Sequence, residues 1–180
     1  MIRITIRSGD YWDERRQEFI NVEGGTILLE HSLMSVAKWE SRWKKPFLGK
    51  EQKTREETID YIRCMALNKN ISPIVFETLT NSAIAKISEY INDPMTATTF
   101  SGKDTQKPSR EIVTAELIYC WMTMLNIPFS CERWHLNRLL TLVRVCNIKN
   151  SPPKKMGRNE LLSRNAKLNA ERRKMLGTNG

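Results

Sequence analysis

The sequence predicts an α+β protein that is mostly α-helical. A small N-terminal antiparallel β-sheet packs on a helical body with a central αα-hairpin, and a basic C-terminal tail helix follows. Three observations lead there. Ile2, Ile4 and Ile6 alternate with Arg3, Thr5 and Arg7, the period of a half-buried strand. From Ser32 onward apolar residues recur at threes and fours, the period of helices buried along one face. Charge collects at the end: Lys149 to Gly180 holds nine Lys or Arg and two acids, so +7 of the net +9 sits there. The first 148 residues, with 20 basic and 18 acidic side chains, are nearly neutral. The expected division is a single folded body over 1–148 and a basic linker and helix over 149–180.

Within residues 1–31 the alternating isoleucines make the first strand and Ser8-Gly9-Asp10 reads as a turn. A second strand is expected near Phe19 to Val22 and, after Gly24-Gly25, a third from Thr26 to Glu30. Two or three strands need a helix face against them to be stable. Helices should fill 32–100. Ser32 can cap one that runs to Trp43, and Thr54 with Glu57 matches the capping box of another that ends near Leu67. Ser72-Pro73 starts a short helix to Leu79, because proline suits the first helical position. Asn81 or Ser82 opens the next, closed by Asp93-Pro94. Met95 to Phe100 has strand composition and could return to the sheet, and Ser101 to Pro108 reads as a flexible loop.

The hairpin is expected over 109–147. Ser109 to Leu125 is apolar nearly all round its axis, apart from a narrow stripe at Glu116 and Thr123, and a helix of that kind must be covered on most sides. Cys131 to Asn147 is more one-sided, with Leu136, Leu139, Leu140, Leu142, Val143 and Cys146 on one arc. Pro128 separates the two and Ser130 can cap the second, so short a link implying antiparallel neighbours. Trp121 and Leu140 are expected to be mostly buried there. Beyond it, Pro152-Pro153 stiffens a linker. Asn159 can then cap a last helix to Leu176, in which Leu161, Leu168 and Met175 recur every seven residues.

There is no apolar run of membrane-spanning length and no leader pattern at Met1, which implies a soluble protein made without export. Cys64, Cys120, Cys131 and Cys146 lie far apart with no C-x-x-C, as reduced thiols do. His31 between Glu30 and Ser32 suggests a catalytic triad, but on a strand those neighbours point to opposite faces. Cys131 and His135 have helical spacing for two metal ligands, without the second pair that a structural zinc requires, so a core histidine with one hydrogen bond is the expectation. Glu116, on a buried helix, calls for a partner, and Arg138 or Arg144 on the facing helix would supply it. Catalytic residues, cofactors and metals are therefore not expected. The basic tail lacks aromatics for stacking on single-stranded nucleic acid, though its cations could hold phosphates without sequence preference. Lys154, Lys155, Arg158, Arg164, Lys167, Arg172, Arg173 and Lys174 are the candidate partner-binding residues.

Several segments carry a resemblance: TILLEHSLMSVAKWESRW from Thr26 to Trp43, Pro46-Phe47-Leu48, and ETIDYIRCMAL from Glu57 to Leu67. Further on come YINDPMTAT from Tyr90 to Thr98, REIVTAELIYCW from Arg110 to Trp121, and WHLNRLLTLVRVCNIKNSPPKKM from Trp134 to Met156. The basic Leu161–Gly180 end fits as well, with its Leu168-Asn169-Ala170-Glu171-Arg172-Arg173 run. Together they resemble the tail assembly chaperones of long-tailed bacteriophages, over nearly the whole chain. The resemblance implies a non-enzymatic protein in the host cytoplasm that coats the long helical tape measure protein, keeps it soluble and brings tail-tube subunits to it. Related proteins often occur in a short and a frameshifted longer form. A homo-oligomer is compatible with this role, and a membrane has no part in it. Two alternatives stand beside it. One is a structural virion protein at the head–tail junction or in the tail; the other is a non-specific nucleic-acid-binding protein acting through the basic tail.

Overall fold

A computed structural model describes residues 1–13, 16–100, 112–151 and 157–177 of the chain. It divides into two compact units, Met1–Ile148 and Lys149–Gly180. The first is a mixed α+β body in which a small antiparallel β structure packs against several helices. It contains β1 (Ile2–Ile6), β2 (Gly9–Asp13), β3 (Glu18–Val22), β4 (Gly25–Leu29), α1 (Leu33–Trp43), α2 (Arg55–Met65), α3 (Ile74–Glu77), α4 (Asn81–Asn92) and α5 (Ala115–Met124). A 3-10 turn over Phe129–Arg133 leads into α6 (Leu136–Asn150), and α7 (Arg158–Leu176) belongs to the second unit.

The four strands make one long hairpin. β1 pairs with β4 from Ile2↔Leu29 to Ile6↔Gly25, and β2 pairs with β3 from Gly9↔Val22 to Asp13↔Glu18. The register is the same on both sides of the break at residues 7–8 and 23–24, so the two pairs are halves of a single ribbon. The expected turn at Ser8-Gly9-Asp10 is corrected: Gly9 and Asp10 begin β2. The chain reverses farther on, where Gln17 adopts φ 52° and its N–H donates to the Asp13 carbonyl at 2.8 Å. The glycine that matters at the break is Gly24, where a Cβ would come within 2.9 Å of the Ser8 nitrogen. The free side of β4 is closed by the chain leaving α2. Glu30 N–H donates to the Met65 carbonyl, Leu67 N–H donates to that of Leu28, and the Asn68 side-chain oxygen accepts from Leu28 N–H at 2.7 Å.

Capping chemistry sets the helices. Ser32 accepts from Ser35 N–H to start α1, and Lys44 ends it in the left-handed region. Thr54 and Glu57 form both arms of the capping box of α2. α4 is capped one residue before the expected positions, by Thr80. Met95 to Phe100 forms no strand: Met95 N–H donates to the Asp93 carboxylate and Thr98 N–H to the Thr96 hydroxyl, side-chain bonds that compete with a ladder.

The hairpin expected over 109–147 differs in three ways. Residues 109–111, like the expected loop Ser101–Pro108 and the Pro152-Pro153 linker, lie outside the described residues. Ile112–Thr114 is not helical, and α5 begins at Ala115 because Thr114 caps it through Leu117 N–H. The second helix begins at Leu136, after the 3-10 turn, because the chain at His135 is drawn out straight. His135 bridges Ser32, and Leu136 N–H donates to the His31 carbonyl at 2.7 Å. Finally, α5 packs on α1.

The core runs from the hairpin through α1 and α2 to single faces of α4, α5 and α6. Leu33, Val36, Met65, Ile118, Met122, Leu136 and Leu139 have no solvent exposure. Trp121 and Leu140 are half-buried at its margin. A column of rings threads it: Trp43, Trp39, Phe47, Tyr61, His31, His135 and Tyr90, each in ring contact with the next. Among the described residues no helix is long and apolar enough to cross a membrane.

Candidate functional site

Both histidines of the chain lie in that column, 5.0 Å apart between ring centroids. His31 lies two residues after β4, next to the Ser32–His135 bridge, and its ring is buried in the core with 2% exposure. Its Nδ1 lies 2.5 Å from the Tyr61 hydroxyl. His135 Nε2 donates to the Tyr90 carbonyl at 3.0 Å, which leaves Nδ1 to accept from Asn137 N–H. Burial lowers the His31 pKa to about 3, with the nearby His135 adding to the effect, and burial also lowers that of His135. Both rings are neutral at physiological pH. Beyond His135, the Tyr90 hydroxyl donates to Glu30 at 2.6 Å, and the Met1 amino group reaches the other Glu30 oxygen at 2.8 Å. Burial, reinforced by Glu30, raises the Tyr90 pKa.

This cluster ties β4, α2, α4 and α6 together. In it His31 is the partner of Tyr61 and Glu30 the partner of Tyr90. Cys131 lies in the 3-10 turn and His135 in the extended stretch after it, so the helical spacing that suggested two ligands is absent. Among the described residues no group of three or more His, Cys, Asp or Glu side chains is placed to hold a metal ion. Glu116 is corrected: it is exposed in the first turn of α5, where its charge suits the helix N-terminus. Arg138 instead lies over the Trp134 ring at 4.4 Å and Arg144 over Phe100 at 3.9 Å.

The acid that is buried is Glu40, which composition alone did not single out. Its Oε1 accepts from Phe47 N–H and its Oε2 from Ala115 N–H, each at 2.7 Å, so one carboxylate holds the start of α5 against the end of α1. Its spacing to Phe47 is a weak sequence signal, and its partner at Ala115 leaves none. Glu57 is the other buried acid; its bond from Lys45 at 2.7 Å lowers its pKa, and its backbone carbonyl accepts from Trp39 Nε1.

Among the described residues of the first unit, exposed apolar side chains gather at two places. At the hairpin tip the cross-strand pair Trp12 and Phe19 meets edge to face at 5.1 Å with both rings exposed. Beside it a groove of about 880 Å³ is lined by Trp12, Trp43, Arg42, Arg55, Asp60 and Phe76, with acids and bases mixed along its walls. The outer face of α5 is the second, with Met124 73% exposed.

Of the candidate partner-binding residues, Lys154 and Lys155 lie outside the described residues. Arg158, Arg164, Lys167, Arg172, Arg173 and Lys174 all lie on α7, a 19-residue helix entered from Gly157 and closed by Gly177 at φ 64°. Every α7 side chain that the structure describes is exposed. Leu161, Leu168 and Met175 fall within about 40° of one another in projection, with Arg164 and Arg172 on either side of them. The other cations are distributed around the helix. No protein-family model, curated protein or solved structure matches this chain.

Proposed function

We propose that this protein is a non-enzymatic assembly chaperone of a bacteriophage tail, binding the helical tape measure protein in the host cytoplasm and assisting the addition of tail-tube subunits. The segments that resemble such chaperones motivate the reading. The observation that carries it furthest is α7: an exposed helix whose Leu161–Leu168–Met175 stripe is flanked by Arg164 and Arg172. Apolar burial along such a stripe with cations at its margins suits an amphipathic helix bearing acids at its edges. The cations do not line one face and have no aromatic companions, which favours a protein helix over a nucleic-acid strand.

Co-expression with the tape measure protein tests this. The expected outcome is that the tape measure stays soluble with this chain and precipitates without it, while finished particles lack the chain. Leu161→Asp with Leu168→Asp should weaken the complex by roughly 100-fold, as lost anchors at a helical interface do. Raising salt should weaken the complex without abolishing it, because only the charge component is screened. Complete dissociation at moderate salt, together with DNA binding, would support a nucleic-acid role. Stoichiometric retention in particles would support a structural one.

A further inference from the structure

The ribbon has a third strand that is begun and left unfinished. Beside β4 the chain leaving α2 runs antiparallel, through the Leu29–Ala66 bridge and the bond from Leu67 N–H to the Leu28 carbonyl. The Asn68 side chain then accepts from Leu28 N–H and donates to the Thr26 carbonyl at 3.4 Å. That course heads along the ribbon toward β3, which precedes β4 on the same side. At Asn70 the backbone enters the left-handed region at φ 60°, and the chain leaves this course for α3. The outer edge of β3 stays bare: among the described residues no backbone group outside β2 bonds to Glu18–Val22. Between that edge and the departing chain lies a groove of about 590 Å³, with the buried side chains of Ile6, Val22, Ile27 and Ile74 in its lining.

We propose that the outer edge of β3 binds an extended segment of another protein, which enters beside Gly25 and runs antiparallel to β3 as the missing strand. Unpaired N–H and C=O groups along a strand call for a second extended backbone. A helix cannot answer them, because its own backbone groups bond internally. A nucleic-acid strand finds no cation in the groove, whose one ionisable lining side chain is Glu23. The ribbon of a second copy does not fit either: Ile71 and Val75 wall the groove on its far side, leaving room for one strand. β3 carries neither Lys nor Pro, the residues that keep exposed edges unpaired. Its five residues offer about 17 Å of edge. The groove also sets the partner's side chains. Every second one faces the apolar lining, so the segment is apolar at alternate positions, and a cation at its entering end meets Glu23.

The probe is the peptide acetyl-Lys-Val-Thr-Val-Thr-Val-amide, titrated into the isotope-labelled full chain and followed by NMR. It should bind with a dissociation constant of about 10–100 µM and slow amide exchange at alternate residues of β3, those whose N–H groups point away from β2. N-methylation of alternate peptide amides tests the edge on the wild-type chain. Methyl groups on the set that faces β3 should weaken binding roughly 10-fold each, and those on the opposite set should leave it unchanged. Ile71→Lys, which fills the groove from its far wall, should weaken binding as well. No binding at millimolar peptide would overturn the proposal, as would equal loss from both methylation sets or full binding by Ile71→Lys. So would exchange that is already slow along the outer edge before peptide is added, since the chain itself or a second copy would then fill the groove.

Discussion

Protonating His31 would place a cation among Phe47, Tyr61 and His135, so the folded chain resists it, whereas the unfolded chain takes up the proton near the ordinary value of 6.5. Between that value and about 3 the unfolded state binds the extra proton. Stability is therefore full above about pH 6.5 and falls as the pH drops toward the folded value, at up to about 1.4 kcal/mol per pH unit for this one group. His135, lowered in the same direction, adds to the slope. Denaturant melts of wild type and His31→Gln between about pH 7 and 5 should show a clear loss for wild type and a flatter dependence for the variant. Equal slopes would mean that another group carries the acid sensitivity. The sequence held no sign that the second histidine, far along the chain, would be the neighbour of this one.

α5 shows where periodicity alone stops. Its apolar residues mark a helix, yet the pattern says only how much of the surface is apolar and not what covers it. The chain covers one face; the outer stripe made all-round burial look obligatory. The caps were more legible: Ser32 and Thr54 with Glu57 sit beside the groups they satisfy, so the sequence places them adjacent, although the expected cap Asn159 lies inside α7, which starts from Gly157 without a side-chain cap. The Gly9–Asp13 strand was hidden because Ser8-Gly9-Asp10 has turn composition, and a break in a ribbon uses the same residues as a reversal. Long-range partners left least trace. Glu40→Ala tests the one that joins two helices: it leaves Phe47 N–H and Ala115 N–H without their buried acceptor and should cost about 3–5 kcal/mol. A melt within about 1 kcal/mol of wild type would show that water replaces the carboxylate.

At the scale of the molecule, the unit boundary after Ile148 makes the body testable by itself. Removing Lys149 to Gly180 takes away +7 of net charge and, among the described residues, no side chain of the buried core. The truncated chain should melt within a few degrees of the full one and lose the tape-measure binding proposed above, whereas a large fall in melting temperature would place part of the second unit in the cooperative fold. Glu40 has a further consequence, for a chain made from its N-terminus. One of its oxygens finds Phe47 seven residues later; the other waits for Ala115, 75 residues on. At the usual 5–20 residues per second, that interval is about 4–15 s. Through it the carboxylate is only half satisfied, and the seat that α5 will fill lacks its helix until Ala115 has been made.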